Sequence, residues 1–210
     1  MLDRIERGDI PRKHHIVFRG DDGALRWEEC YTRLGFDGAY SILYHLRRPH
    51  TQVFAELRHG WAAPEEAPPA RLAKRHYQTG QMALPAGPPV DARVALLFNA
   101  DIVIGYAEPD APDPVYVANG DGDDLVFIFE GTGLLRTPFG DLRYEPYDYV
   151  CVPRSVVHRW IPDDGVKQRW LTMECAGSGF GLLEQFRNAE GQLRMDAPYC
   201  HRDFRRPEFV

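Results

Sequence analysis

Apolar positions in this chain fall in short runs, broken every few residues by glycine, proline or acidic pairs. The clearest run is Leu125 to Phe129. It follows Asn119-Gly120-Asp121-Gly122-Asp123-Asp124, which reads as an acid- and glycine-rich turn. Glu130-Gly131-Thr132-Gly133, Pro138-Phe139-Gly140-Asp141 and Pro146-Tyr147-Asp148 are further turns, with a short strand predicted between each pair. Short strands with turn signals this regular predict an antiparallel barrel or jelly roll.

Upstream, Ile16 to Arg19 and Leu25 to Glu28 flank Gly20-Asp21-Asp22-Gly23, a hairpin signal because Asp-Gly tolerates positive φ. Tyr40 to Leu46 reads as a strand that Pro49 brings to an end. The segment 61–70, WAAPEEAPPA, is proline-rich and can sustain neither helix nor ladder, so it reads as a loop. Leu72 to Leu84 is ambiguous. Ala92 to Phe98 and Ile102 to Tyr106 are two β-rich runs joined by Asn99-Ala100-Asp101, and Lys167 to Glu174 is another. Helical spacing shows only around Gly181 to Asn188. The expected fold class is mainly β: a jelly roll or double-stranded β-barrel with an N-terminal β extension and few short helices. The expected domains are 1–90, the extension with its irregular loop; 91–176, the barrel; and 177–210, a connector. The tail, DAPYCHRDFRRPEFV, lacks the apolar pattern of a closing strand and reads as a linker towards a further module.

Composition narrows the partners. The chain has 210 residues, a formal charge of −6 and no clustered basic surface beyond Arg47-Arg48 and the 202–206 stretch. Nucleic acid is therefore not an expected partner. No apolar run reaches the length of a membrane span, and the mixed-charge N-terminus is unlike a secretory signal. The four cysteines lie far apart without a CxxC pair, so a reduced, cytoplasmic setting is expected.

Glu130-Gly131-Thr132-Gly133 after an apolar run, and later Val152-Pro153-Arg154-Ser155-Val156-Val157-His158, resemble the two motifs of the cupin superfamily. In metal-binding cupins the first motif supplies two histidines and a glutamate, and the second a third histidine after a Pro-x-Gly turn. On this sequence the glutamate position falls on Asp124 and the second-motif histidine on His158. The other two histidine positions fall on Ala118 and Gly120, which carry no donor. Asp124 and His158 alone are two ligands where a transition metal takes three or four. The expectation is a degenerate, metal-free barrel with His158 as a half-buried structural histidine. Neither a catalytic residue nor a cofactor-binding residue is assigned. The remaining histidines, His14, His15, His45, His50, His59, His76 and His201, show no HxH or HExxH spacing. There is no GxSxG elbow, and Cys151, between Val150 and Val152, reads as a buried, inert thiol.

The likeness extends further. FDGAYSILYHLRRPHTQV at 36–53, RHYQTGQ at 75–81, RVALLFNADIVIG at 93–105, NGDGDDLVFIFEGTG at 119–133 and PYCHRDFRRPE at 198–208 resemble the N-terminal half of bacterial homogentisate 1,2-dioxygenase-type proteins. That resemblance implies a non-haem Fe(II) enzyme that opens an aromatic acid with O₂ in tyrosine catabolism. It also implies two barrel modules per subunit and a homo-oligomer. Its iron ligands and catalytic residues lie in the C-terminal half, so none transfers to a position here and no Fe(II) is expected on this chain. Two other readings stay open. One is a stand-alone single-cupin module that binds a small ligand or only assembles. The other is a metal enzyme built on Asp124, His158 and a further histidine. If the chain lacks its second module, Tyr199, Phe204 and Phe209 are candidates for exposed contact surface.

Overall fold

A computed structural model describes residues 18–34, 37–49, 51, 53–57, 68–74, 76–177, 179–189 and 192–208. They fall into two compact units. Residues up to Leu57 together with Leu182–Phe204 form one; those that follow, to Gly181, together with Arg205 onward, form the other.

In the first unit, β1 (Trp27–Leu34) and β2 (Asp37–His45) pair antiparallel, Trp27 opposite His45. The turn ahead of β1 forms as its sequence predicts. Gly23 has φ 71°, its N–H donates to the Gly20 carbonyl at 2.8 Å, and Arg19 bridges Leu25. Residues 16 and 17 of that hairpin, and 61–67 of the proline-rich loop, lie outside the described residues. Where helical spacing showed, a single 3-10 turn forms, Glu184–Phe186.

The second unit holds two antiparallel sheets. β3 (Arg93–Phe98), β4 (Ile102–Ala107), β5 (Gly122–Glu130), β8 (Tyr149–Val152) and β10 (Arg169–Ala176) form one, in the order β3-β4-β10-β5-β8. β6 (Gly133–Thr137), β7 (Gly140–Tyr144) and β9 (Arg159–Pro162) form the other, in the order β7-β6-β9. The chain crosses between sheets after β5, β7, β8 and β9, so from β5 onward it passes repeatedly from one layer to the other. That crossing, with every pairing antiparallel, is jelly-roll topology. The fold class is mainly β, a cupin-type jelly roll, and the helical segments among the described residues are 3-10 turns.

The layers meet over one core: Val126, Ile128, Val150, Val152 and Trp170 from the larger sheet, Leu135, Tyr144 and Trp160 from the smaller, and Val156 between them. Trp170 packs 4.9 Å from Trp160 and edge-on to Tyr144 at 5.6 Å, centroid to centroid. Strand alternation produces this layout, because every second residue of β5, β8 and β10 faces inward.

Two local readings of the sequence change. Asp123 and Asp124, expected in a turn, lie in β5, which begins at Gly122. The turn is shorter and is closed by Asn119, whose Oδ1 accepts the N–H groups of Asp121 and Gly122 at 2.9 and 3.1 Å. Gly122 can enter the ladder because it lacks a side chain: a Cβ there would stand 2.3 Å from the Cys175 carbonyl oxygen. Cys151, expected to be buried, is exposed, because Val150 and Val152 take the inward positions of β8 and leave it facing out. The tail reaches an edge of the smaller sheet, where Glu208 and Asp141 exchange backbone hydrogen bonds at 2.7 and 2.8 Å.

Candidate functional site

The inner face of the larger sheet is apolar at one end and polar at the other. Asp124 follows the alternation of Val126 and Ile128, so it faces inward and is buried. Directly across the ladder stands Glu174 of β10; Thr172, beside Val126, shares the same face. Two carboxyls directly opposite one another repel unless a proton or a cation intervenes.

Arg93 supplies the cation. It starts β3, in the row of Ala107 and Trp170, and its guanidinium Nη1 reaches to 3.5 Å from Asp124 Oδ1. Asp124 Oδ2 accepts from Asn119 Nδ2 at 3.3 Å. Burial is the main influence on the Asp124 carboxyl and pushes it up to about 6. Arg93 and Asn119 pull it down, while Glu174 and Asp123 push the same way as burial. Asp123 belongs to the opposite face. Its oxygens accept backbone N–H groups from Arg154 at 2.8 Å and Phe180 at 2.9 Å.

His158 is held from several directions. Its backbone exchanges two 2.8 Å hydrogen bonds with Val117, and its Nδ1 lies 2.9 Å from the Val156 carbonyl oxygen. With Nδ1–H donating there, Nε2 carries the lone pair. The ring is 4% exposed, so it is more deeply buried than the half-buried position its sequence suggested. Burial lowers its pKa, Arg93 acts in the same direction, and Asp113 opposes. Asp113 is fully buried; its Oδ2 accepts the Trp160 N–H at 2.9 Å, and desolvation raises its carboxyl.

The structure therefore links Asp124 and His158 through a shared neighbour, the Arg93 charge, and not through a shared ligand position. Iron of the kind the resemblance implies does not fit these residues. Ala118 and Gly120 have no donor atoms and sit on an exposed stretch, and both Asp124 oxygens are engaged. Among the described residues no three His, Cys, Asp or Glu side chains converge as metal ligands. Of the remaining histidines, His45 lies 2.8 Å from Glu29 in the first unit and His76 is exposed. His14, His15, His50 and His59 lie outside the described residues, as does the side chain of His201. Sequence reading did not single out Arg93, Asp113, Asn119 or Glu174. A lone arginine opening the apolar run Val94 to Phe98 was the available signal. No described helix is long and apolar enough to cross a membrane.

Fold and site together define a cupin-type jelly roll with a buried polar end formed around Asp124, Arg93 and His158. No family model matches the chain. It is similar, at 28% identity over 204 residues, to the protein named "Putative dioxygenase SSO1533" of Saccharolobus solfataricus, a match covering 96% of this chain and 51% of that protein. The chain thus spans about half the length of this curated relative. Solved structures with some likeness include the Cnp3 cupin domain of Schizosaccharomyces pombe, at 13% identity and TM-score 0.44, covering 49% of this chain and 74% of that one. Another is a cupin superfamily protein of Desulfitobacterium hafniense, at 16% identity and TM-score 0.36, covering 40% and 76%.

Proposed function

We propose that this chain is the non-catalytic cupin part of a homogentisate 1,2-dioxygenase-like protein. Its Fe(II) and its reaction, O₂-dependent opening of a small aromatic acid, belong to a second module. On this reading the chain supplies a scaffold and subunit contacts within a cytoplasmic homo-oligomer. The observation that carries the reading is the similarity along 96% of the chain to half of a protein named as a dioxygenase. The donor set supports it: among the described residues, an interior with one histidine and an arginine-bound carboxylate suits a barrel relieved of chemistry.

Two measurements test it. Purified alone, the 210-residue chain should show no homogentisate-dependent oxygen uptake and retain no stoichiometric iron after dialysis. Mass spectrometry of the natural gene product should find a chain nearly twice this long. Robust uptake by the chain alone, or a natural product of this size, overturns the proposal.

A further inference from the structure

At the polar end of the barrel Asp124 stands opposite Glu174 with the Arg93 guanidinium 3.5 Å away, and the Arg93 charge also acts on the buried Asp113 and His158. Among the described residues the cation that acts on the Asp124 carboxyl is Arg93. Arg93 is itself largely buried, its side chain 16% exposed and that of Asp124 12%. A carboxylate at this depth is costly unless a positive charge is held close. Many proteins meet that need with a bound ion. Here the charge is carried on a side chain fixed by β3, where Arg93 pairs with Ala107 of β4.

We infer that Arg93 is the internal ion of this barrel: its guanidinium neutralises Asp124, so that this carboxylate can face Glu174 across the ladder, and it holds the polar end closed without a metal. The inference concerns this chain's own residues and stands whether or not the chain works within a dioxygenase-like protein. It explains why β3 opens on an arginine when its neighbours in the row, Ala107 and Trp170, are apolar. It also explains how Asp124 and Glu174 can oppose one another across the ladder. Asn119 completes the arrangement by holding the second Asp124 oxygen while closing the turn before β5.

The test is a thermal-unfolding cycle on the whole chain at pH 8, with Arg93→Met, Asp124→Asn and the double variant. Arg93→Met strands the carboxyls and should lower Tm by about 6–12 °C. In the Asp124→Asn background the same change should cost less than half of that, because one stranded charge is gone. If Arg93→Met alone does not fold, a folded double variant supports the inference and an unfolded one overturns it. Arg93→Lys, which keeps the charge and loses the planar fork, should fall between wild type and Arg93→Met. Equal losses in both Asp124 backgrounds overturn the inference. So does stoichiometric Mn(II) binding by the wild-type chain, followed by electron paramagnetic resonance, if Asp124→Asn abolishes it.

Discussion

The two ends of the barrel interior are built on the same strands and the same inward positions, yet they work in opposite ways. At one end β5 and β10 contribute Ile128 and Trp170, which meet Tyr144 and Trp160 of the facing sheet. A few residues along the same strands, the inward positions become Asp124, Thr172 and Glu174. The aromatic end gains from every apolar group removed from water. The polar end gains nothing from burial and is held by pairing: Arg93 and Asn119 on Asp124, the Val156 carbonyl on His158, the Trp160 N–H on Asp113. Alternation decides which residues face inward, while their chemistry decides whether that helps or costs. The stable end carries the costly one.

The largest expected effect lies at the aromatic end. Trp170 is 1% exposed, touches both Tyr144 and Trp160, and donates its indole N–H to Gln168 Oε1 at 3.1 Å. Trp170→Ala should cost about 3–5 kcal/mol, the usual range for emptying a buried aromatic site. That is a large share of a domain's total of roughly 5–15 kcal/mol. Urea unfolding followed by circular dichroism reads it directly. A loss below about 1 kcal/mol would mean that this end is not where the barrel's stability resides.

A middle-sized effect separates the ends by pH. Because the folded Asp124 carboxyl sits at about 6 against 3.8 for the free group, the fold binds this proton more tightly than the unfolded chain does. Its contribution is therefore fully present below about pH 4 and is lost as pH rises through about 6. The gap corresponds to about 3 kcal/mol at ~1.4 kcal/mol per pH unit. Asp124→Asn should accordingly match wild type near pH 4 and exceed it at pH 8 by up to that amount, with Arg93 still acting on Asp113. His158 opposes in acid, since its lowered folded pKa means stability is lost as pH falls below 6.5. The difference between the two chains, measured from pH 4 to pH 8, isolates Asp124. Parallel profiles would show that its burial carries no protonic cost.

The aromatic end was largely readable from sequence, and the polar end was not. Runs such as Leu125 to Phe129 and turns such as Gly131 to Gly133 announce strands and reversals locally, so most of β3 to β10 lies where the pattern puts it. What the pattern could not supply was register. Asp-Gly-Asp-Asp signals a turn by composition, yet Asp123 and Asp124 are drawn into β5 because Asn119 closes the turn before them and β10 offers Glu174 and Cys175 as partners. Cys151 looked inward for the converse reason: its apolar neighbours, not it, hold the inward positions. Asp124 and His158 both lie buried in the barrel, but Arg93 reaches Asp124 from a strand 31 residues earlier in sequence. No local signal carries that.

The smallest expected effect asks whether the polar end is complete as drawn. Thr172 is 3% exposed, lies on the inner face beside Val126, and its hydroxyl has no hydrogen-bond partner among the described residues. An unpaired buried hydroxyl costs about 1–3 kcal/mol, and valine replaces it with a methyl of similar shape. If the polar end is held only by the pairs described above, Thr172→Val should raise stability by about 1 kcal/mol at any pH between 4 and 8. A loss of similar size would mean that the hydroxyl is satisfied in solution, by a buried water or by a small ligand reaching the inner face. That outcome would move the chain from scaffold towards the stand-alone ligand-binding reading, because apolar surroundings alone give a hydroxyl nothing to lose. Repeating the Thr172→Val comparison after exhaustive dialysis separates the two sources: a bound ligand's contribution falls away on dialysis, whereas that of structural water persists.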